Sequence, residues 1–114
     1  MENLQKNYQA ATCTTVSAYA DGRDGDGNFK MVFKIEHRGH QSYGQRFTAI
    51  FENGFSVVEV PGDVEVKTSE NRLTVQRNNQ LNDNGMTEVW IKLGASEQPN
   101  VLQITDILCC REGL

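Results

Sequence analysis

The chain has few of the residues that mark familiar activities. Its three cysteines are Cys13, Cys109 and Cys110. An odd count with two neighbours side by side does not make the disulfide framework of a small secreted domain. Adjacent cysteines bridge only through a strained ring. No apolar run approaches the roughly 18–20 residues that a spanning helix needs, and no membrane association is expected. The polar N-terminus lacks an apolar h-region, so no secretory leader is expected. Together with the cysteine usage, this reads as a reducing, cytoplasmic setting.

Basic residues are also scarce. Eleven Lys and Arg stand against 15 Asp and Glu, for a net charge of -4, and neither sign forms a block. A phosphate-backbone binder needs a basic stripe, so nucleic acid is not an expected partner. There is no Gly-x-Ser-x-Gly elbow, no His-Glu-x-x-His helix motif and no Cys-x-x-Cys pair, and no catalytic residue is assigned. Gly22, Gly25 and Gly27 lack the strand-to-helix setting of a phosphate loop. No cofactor is expected. There is no internal repeat.

What the chain has is alternation. In residues 29–38, Phe29, Met31, Phe33 and Ile35 fall on one side, and Lys30, Lys34, Glu36 and Arg38 on the other, with Val32 as the exception. A period of two marks a strand with one face on a core. Shorter versions recur. Phe47, Ala49 and Phe51 alternate in residues 46–52, and Val89, Ile91 and Leu93 in residues 88–93. Residues 11–20, rich in Thr, Val and Tyr, are read as a first strand with weak alternation. Residues 1–10 are read as a tail or a single helical turn.

Asn53-Gly54 is the strongest hairpin signal, so residues 55–60 are expected to pair with 46–52. Their pattern slips a register and predicts a β-bulge at Val57–Val58. Further short strands follow around Val64 and Val66, around Leu73 and Val75 beyond a Ser69–Asn71 turn, and over residues 101–108, which are apolar on both faces. About eight strands joined by turn signals define a single all-β domain, an antiparallel sandwich, with a small barrel as the alternative.

Two loops carry candidate chemistry. Asp21, Asp24, Asp26 and Asn28 offer oxygen ligands, but an EF-hand loop counted from Asp24 would need Gly at the sixth position and Glu at the twelfth. Phe29 and Ile35 stand there. The loop is read as a solvated, mobile hairpin tip. His37 and His40 have metal-ligand spacing, with Glu36, Glu52 or a cysteine to complete a set, but two lone histidines make only a weak metal candidate and no metal is assigned.

The outward faces are more informative. Lys30, Val32, Lys34 and Glu36 lie on one strand, Arg46, Thr48, Ile50 and Glu52 on a second, and Glu88, Trp90 and Lys92 on a third. With these strands in one sheet, Val32, Ile50 and Trp90 make an apolar patch rimmed by Lys34, Arg46 and Lys92. That is the anatomy of interfaces and of sugar-stacking platforms. The reading is a non-catalytic binding domain that self-associates as a homodimer through this patch, or binds another protein there. The alternative is a module for carbohydrate or another small ligand, with Trp90 stacking and the loop at 39–45 supplying hydrogen bonds. A second alternative is a small metal-dependent enzyme using His37 and His40.

Overall fold

The alternation becomes two antiparallel sheets that share one core. The computed structural model describes residues 6–10, 14–37, 44–77 and 86–110, with side chains over 15–36, 45–77 and 86–107. Its strands are β1 (Lys6–Ala10), β2 (Thr14–Arg23), β3 (Phe29–His37), β4 (Gly44–Phe51), β5 (Ser56–Glu59), β6 (Val64–Ser69), β7 (Arg72–Arg77), β8 (Met86–Gly94) and β9 (Val101–Cys110). The first sheet has the order β1-β2-β3-β8-β5 and the second β6-β7-β4-β9. Each order has two ends, so the fold is a sandwich and not a closed barrel.

The inner faces are the ones the sequence alternation marks. Phe33, Ile35, Phe47, Ala49, Phe51, Val89, Ile91 and Leu93 are essentially inaccessible to solvent. Phe33 of the first sheet meets Phe47 of the second with ring centroids 5.0 Å apart and planes tilted by 49°. Edge-inclined pairs of this kind suit the aromatic quadrupole better than face-to-face stacks. Leu73 and Val75 from β7 and Val16 and Ala18 from β2 complete the layer.

Three local expectations change. Residues 6–10 form a strand paired to β2, from Lys6 opposite Ala18 to Ala10 opposite Thr14, instead of a helical turn. The first strand expected at 11–20 is β2, and it extends to Arg23. Asn53-Gly54 is not a hairpin tip. β4 pairs with β7 and β9, whereas β5 pairs with β8 in the opposite sheet. The Asn-Gly segment carries the chain across the sandwich. Among the described glycines only Gly22 and Gly27 have positive φ, so Gly54 lacks the backbone a type I′ turn demands. The Phe51 and Phe55 rings, one on either side of this crossing, pack at a 54° tilt with centroids 4.7 Å apart. The tight hairpin of the second sheet is at Glu70–Asn71, between Ser69 and Arg72, which are paired.

The bulge expected at Val57–Val58 is present, against a different partner. Val57 faces Leu93 and Glu59 faces Lys92, leaving Val58 unpaired and 49% exposed. β9 is irregular too. Its register against β4 shifts twice, and Asp106 takes φ 54°. These shifts let Val101 and Ile104, three residues apart, both reach the core. This is why the strand reads as apolar on both faces.

These backbones predict opposite outcomes for two glycines. Gly54→Ala, with open space around its Cβ position and no positive φ, is expected to change stability by no more than about 0.5 kcal/mol, or to raise it slightly. Gly27→Ala, at φ +83°, is expected to lose roughly 1–2 kcal/mol. Urea titrations of both variants test this; a large loss at Gly54 contradicts the crossing.

Candidate functional site

Where the outward residues lie depends on strand order. β3 is flanked by β2 and β8, and one register line across these strands reads Tyr19–Val32–Trp90. Directly opposed side chains on one face of a sheet are in contact range. Val32 is only 4% exposed although it faces away from the core. Its two aromatic neighbours, both half-buried, flank it. With strands about 4.7–4.9 Å apart, Tyr19 and Trp90 stand roughly 9.5 Å apart along the row.

Ile50 does not belong to this patch. β4 lies in the second sheet, where Ile50 is opposed by Arg72 and Gln103 and points out of the other side of the sandwich. Arg46, opposite Gln76 and Leu108, goes with it. The expectation that three clean strands share a sheet holds for β3 and β8 and fails for β4. The second sheet's outer face is polar, with Thr48 and Thr74 joined hydroxyl to hydroxyl at 3.1 Å. Tyr19 takes the place of Ile50 in the apolar row.

Charged lines border the aromatic row on both sides. On one side Ser17, Lys34 and Glu88 lie in register, with the Lys34 ammonium 3.8 Å from Glu88 and 5.6 Å from the Tyr19 ring centroid. On the other, Lys30 and Lys92 are directly opposed. Like charges in that position destabilise a sheet. Carboxylates offset them. Asp21 lies 4.0 Å from Lys30, and Asp24 and Glu59 lie 3.3 and 3.6 Å from Lys92. Lys34 and Lys92 are both in the rim, as the sequence suggests.

Asp24 also organises the loop before β3. One of its carboxylate oxygens accepts the N–H groups of Asp26 and Asn28, both at 2.9 Å. Its own N–H donates to the Asn28 carbonyl, and its carbonyl accepts from Gly27. The loop is therefore built around one side chain and tied to β8 through Lys92. The N–H of Asn28, helped by that of Asp26 and by Lys92, holds the Asp24 carboxyl below its ordinary value of 3.8. Asp24 in turn raises Lys92. Among the described residues no group of three His, Cys, Asp or Glu is placed to hold a metal ion. His40 and residues 39–43 of the second candidate loop lie outside the described residues, as does the His37 side chain.

Tyr19 is the residue sequence reasoning missed. Burial pushes its phenol above the ordinary value of 10.0, and the Glu88 and Asp21 charges add to this. The hydroxyl thus stays protonated and able to donate. Arg77 ties the two sheets together beside the row. Its guanidinium in β7 reaches Asp63 at 2.8 Å, the Thr87 hydroxyl at 2.9 Å and the Glu88 carbonyl at 2.7 Å. This fixes the β8 segment that presents Trp90.

No protein-family model matches the chain, and no curated protein matches it in sequence. Its fold does have a solved counterpart, the solution structure of the chitin-binding domain of Chi18aC from Streptomyces coelicolor. That structure is similar over 82% of this chain and 91% of its own, with a TM-score of 0.63 and 17% sequence identity. At that identity the likeness establishes the fold.

The Asp24 network predicts a pH response. A carboxyl lowered in the folded state contributes stability that is complete above its unfolded value and lost as pH falls through the folded one. The Asp24 carboxyl carbon is therefore expected to titrate by NMR with a midpoint below 3.8. The Asp26 and Asn28 amides should shift at the same midpoint, and Asp24→Ala should remove that titration from them. A midpoint at or above the ordinary value contradicts the network.

Proposed function

We propose that the protein is a non-catalytic polysaccharide-binding domain whose ligand lies along the Tyr19–Val32–Trp90 row. The observation that carries this reading is the in-register placement of two aromatic side chains on either side of a valine, on an outward sheet face. The C–H faces of pyranose rings pack on aromatic rings, whose apolar bodies and polar tips suit a wet, amphipathic ligand. A sugar unit in an extended 1,4-linked chain advances about as far as one strand spacing. A chain crossing the strands therefore sets alternate rings over Trp90 and Tyr19, with the intervening ring above Val32. Lys34, Ser17, Glu88 and the Tyr19 hydroxyl supply the donors and acceptors that a sugar's hydroxyl groups need.

The fold likeness to a chitin-binding domain supports this direction and makes β-1,4-linked N-acetylglucosamine the first ligand to try. Self-association through the same face, the reading the sequence favours, is weakened by the geometry. With Ile50 in the other sheet, the patch consists of two aromatic side chains of about 150–250 Å² each and a valine already covered. Those rings are themselves half-buried, and a stable interface needs roughly 800 Å² per partner.

Depletion assays on insoluble polysaccharides, with tryptophan fluorescence for soluble oligosaccharides, test the reading. Trp90→Ala is expected to weaken binding roughly ten- to thirty-fold, about 1.4–2 kcal/mol, and Tyr19→Ala by a smaller factor. Thermal unfolding of both should stay close to wild type, because neither ring belongs to the core. Wild-type protein that binds no polysaccharide, or that sediments as a dimer dissociated by Trp90→Glu, overturns it.

A further inference from the structure

The charges around the aromatic row carry information about the ligand that the rings do not. Five carboxylates, Asp21, Asp24, Glu36, Glu59 and Glu88, share this face with three ammonium groups, Lys30, Lys34 and Lys92. Arg23 lies opposite Phe29 and rests its guanidinium 4.8 Å over that ring, on the core side of the sheet. Each of the three lysines has a carboxylate within 4.0 Å, and Lys92 has two. The opposed Lys30 and Lys92 would form an anion site if bare, but Asp21, Asp24 and Glu59 fill it. Glu36 stands exposed on the same face of β3, one step beyond Lys34 and opposite Met86. The surplus is negative on both sides of the row.

Resting on the polysaccharide reading above, we propose that this face selects glycans by charge, disfavouring polyuronates and sulfated chains and favouring 1,4-linked amino-sugar chains in which some amines are free and protonated. Stacking on Trp90 and Tyr19 is blind to charge, because every pyranose has an apolar face. The fringe of carboxylates is not. An ammonium on a sugar seated over Val32 comes within reach of Glu88 on one side and of the Asp21–Asp24–Glu59 group on the other. A carboxylate on the same ring meets repulsion from both. Exposed pairs of this kind are weak singly and screened by salt, so the preference adds to the stacking without replacing it.

Three β-1,4-linked hexasaccharides test this, titrated by calorimetry at low and high salt at a pH where the amine is charged. They are fully N-acetylated glucosamine, fully deacetylated glucosamine and a hexuronate. The deacetylated chain is expected to bind roughly two- to five-fold more tightly than the acetylated one for each amine–carboxylate contact made. That advantage should collapse at high salt and shrink in the Asp21→Asn/Glu59→Gln double variant, whose side chains lie off the aromatic row, and at low salt the hexuronate should bind more weakly than the acetylated chain. Equal affinity of the two glucosamine chains at low salt, or hexuronate binding as tight as acetylated binding at low salt, overturns charge selection while the platform stands, provided Trp90→Ala weakens acetylated binding. Failure of every chain to bind overturns the platform reading and charge selection with it.

Discussion

The structure depends on one constraint, that an extended strand divides its residues strictly between two faces. β3 is where the constraint acts most fully, because it lies inside its sheet between β2 and β8 and packs on the second sheet at the same time. Met31, Phe33 and Ile35 go to the core, where Phe33 meets Phe47 across the sandwich. Lys30, Val32, Lys34 and Glu36 have no choice but the other side. Each gain on the inner face therefore fixes the composition and order of the outer one. The aromatic row is a consequence of the same register that builds the core.

That constraint also explains what was legible in the sequence. Alternation is a local signal, and it marked the inner faces of β3, β4 and β8 and the bulge at Val58. Strand partners are chosen by long-range packing, on which a local pattern is silent. Asn53-Gly54 shows the difference. The dipeptide favours a tight turn, but Phe51 and Phe55 pack against each other across the crossing and Val57 reaches Leu93 in the opposite sheet. Tertiary packing overrides the local preference. Ile50 was misplaced for the same reason, since nothing in residues 46–52 says which sheet they join. Tyr19 was missed because β2 inverts the usual contrast. Its inward residues include the small Ala18 and Ala20, while its outward ones run Thr15, Ser17, Tyr19. The bulkiest ring of the strand faces solvent, so hydrophobic periodicity nearly vanishes there.

The rim depends on loop chemistry as much as on strands. Lys30 opposite Lys92 is an unfavourable pairing that the register of β3 and β8 imposes. It is tolerated because the chain before β3 turns back around Asp24 and delivers that carboxylate to Lys92, with Glu59 arriving from β5 and Asp21 from β2. Asp24, at the centre of the loop that resembles a cation site, is thus engaged by backbone N–H groups and a lysine. Glycines at 22 and 27 supply the positive φ that this path needs. Read alone, the Asp-rich loop and the lysine-bearing strands suggest separate functions. In the fold they form one electrostatic unit beside the aromatic row.

Val32 ties these strands of reasoning together. An apolar residue in an outward position ordinarily asks what covers it, and an interface with a second copy is the usual answer. Here it is 4% exposed, with Tyr19 and Trp90 flanking it in register. It is the floor between two rings. Such a floor holds the rings apart at a separation set by backbone hydrogen bonds, and Arg77 anchors the strand that carries one of them. Side chains ordered in advance lose little conformational entropy when a ligand settles on them. The proposed polysaccharide would meet this row along its length, from Tyr19 across Val32 to Trp90.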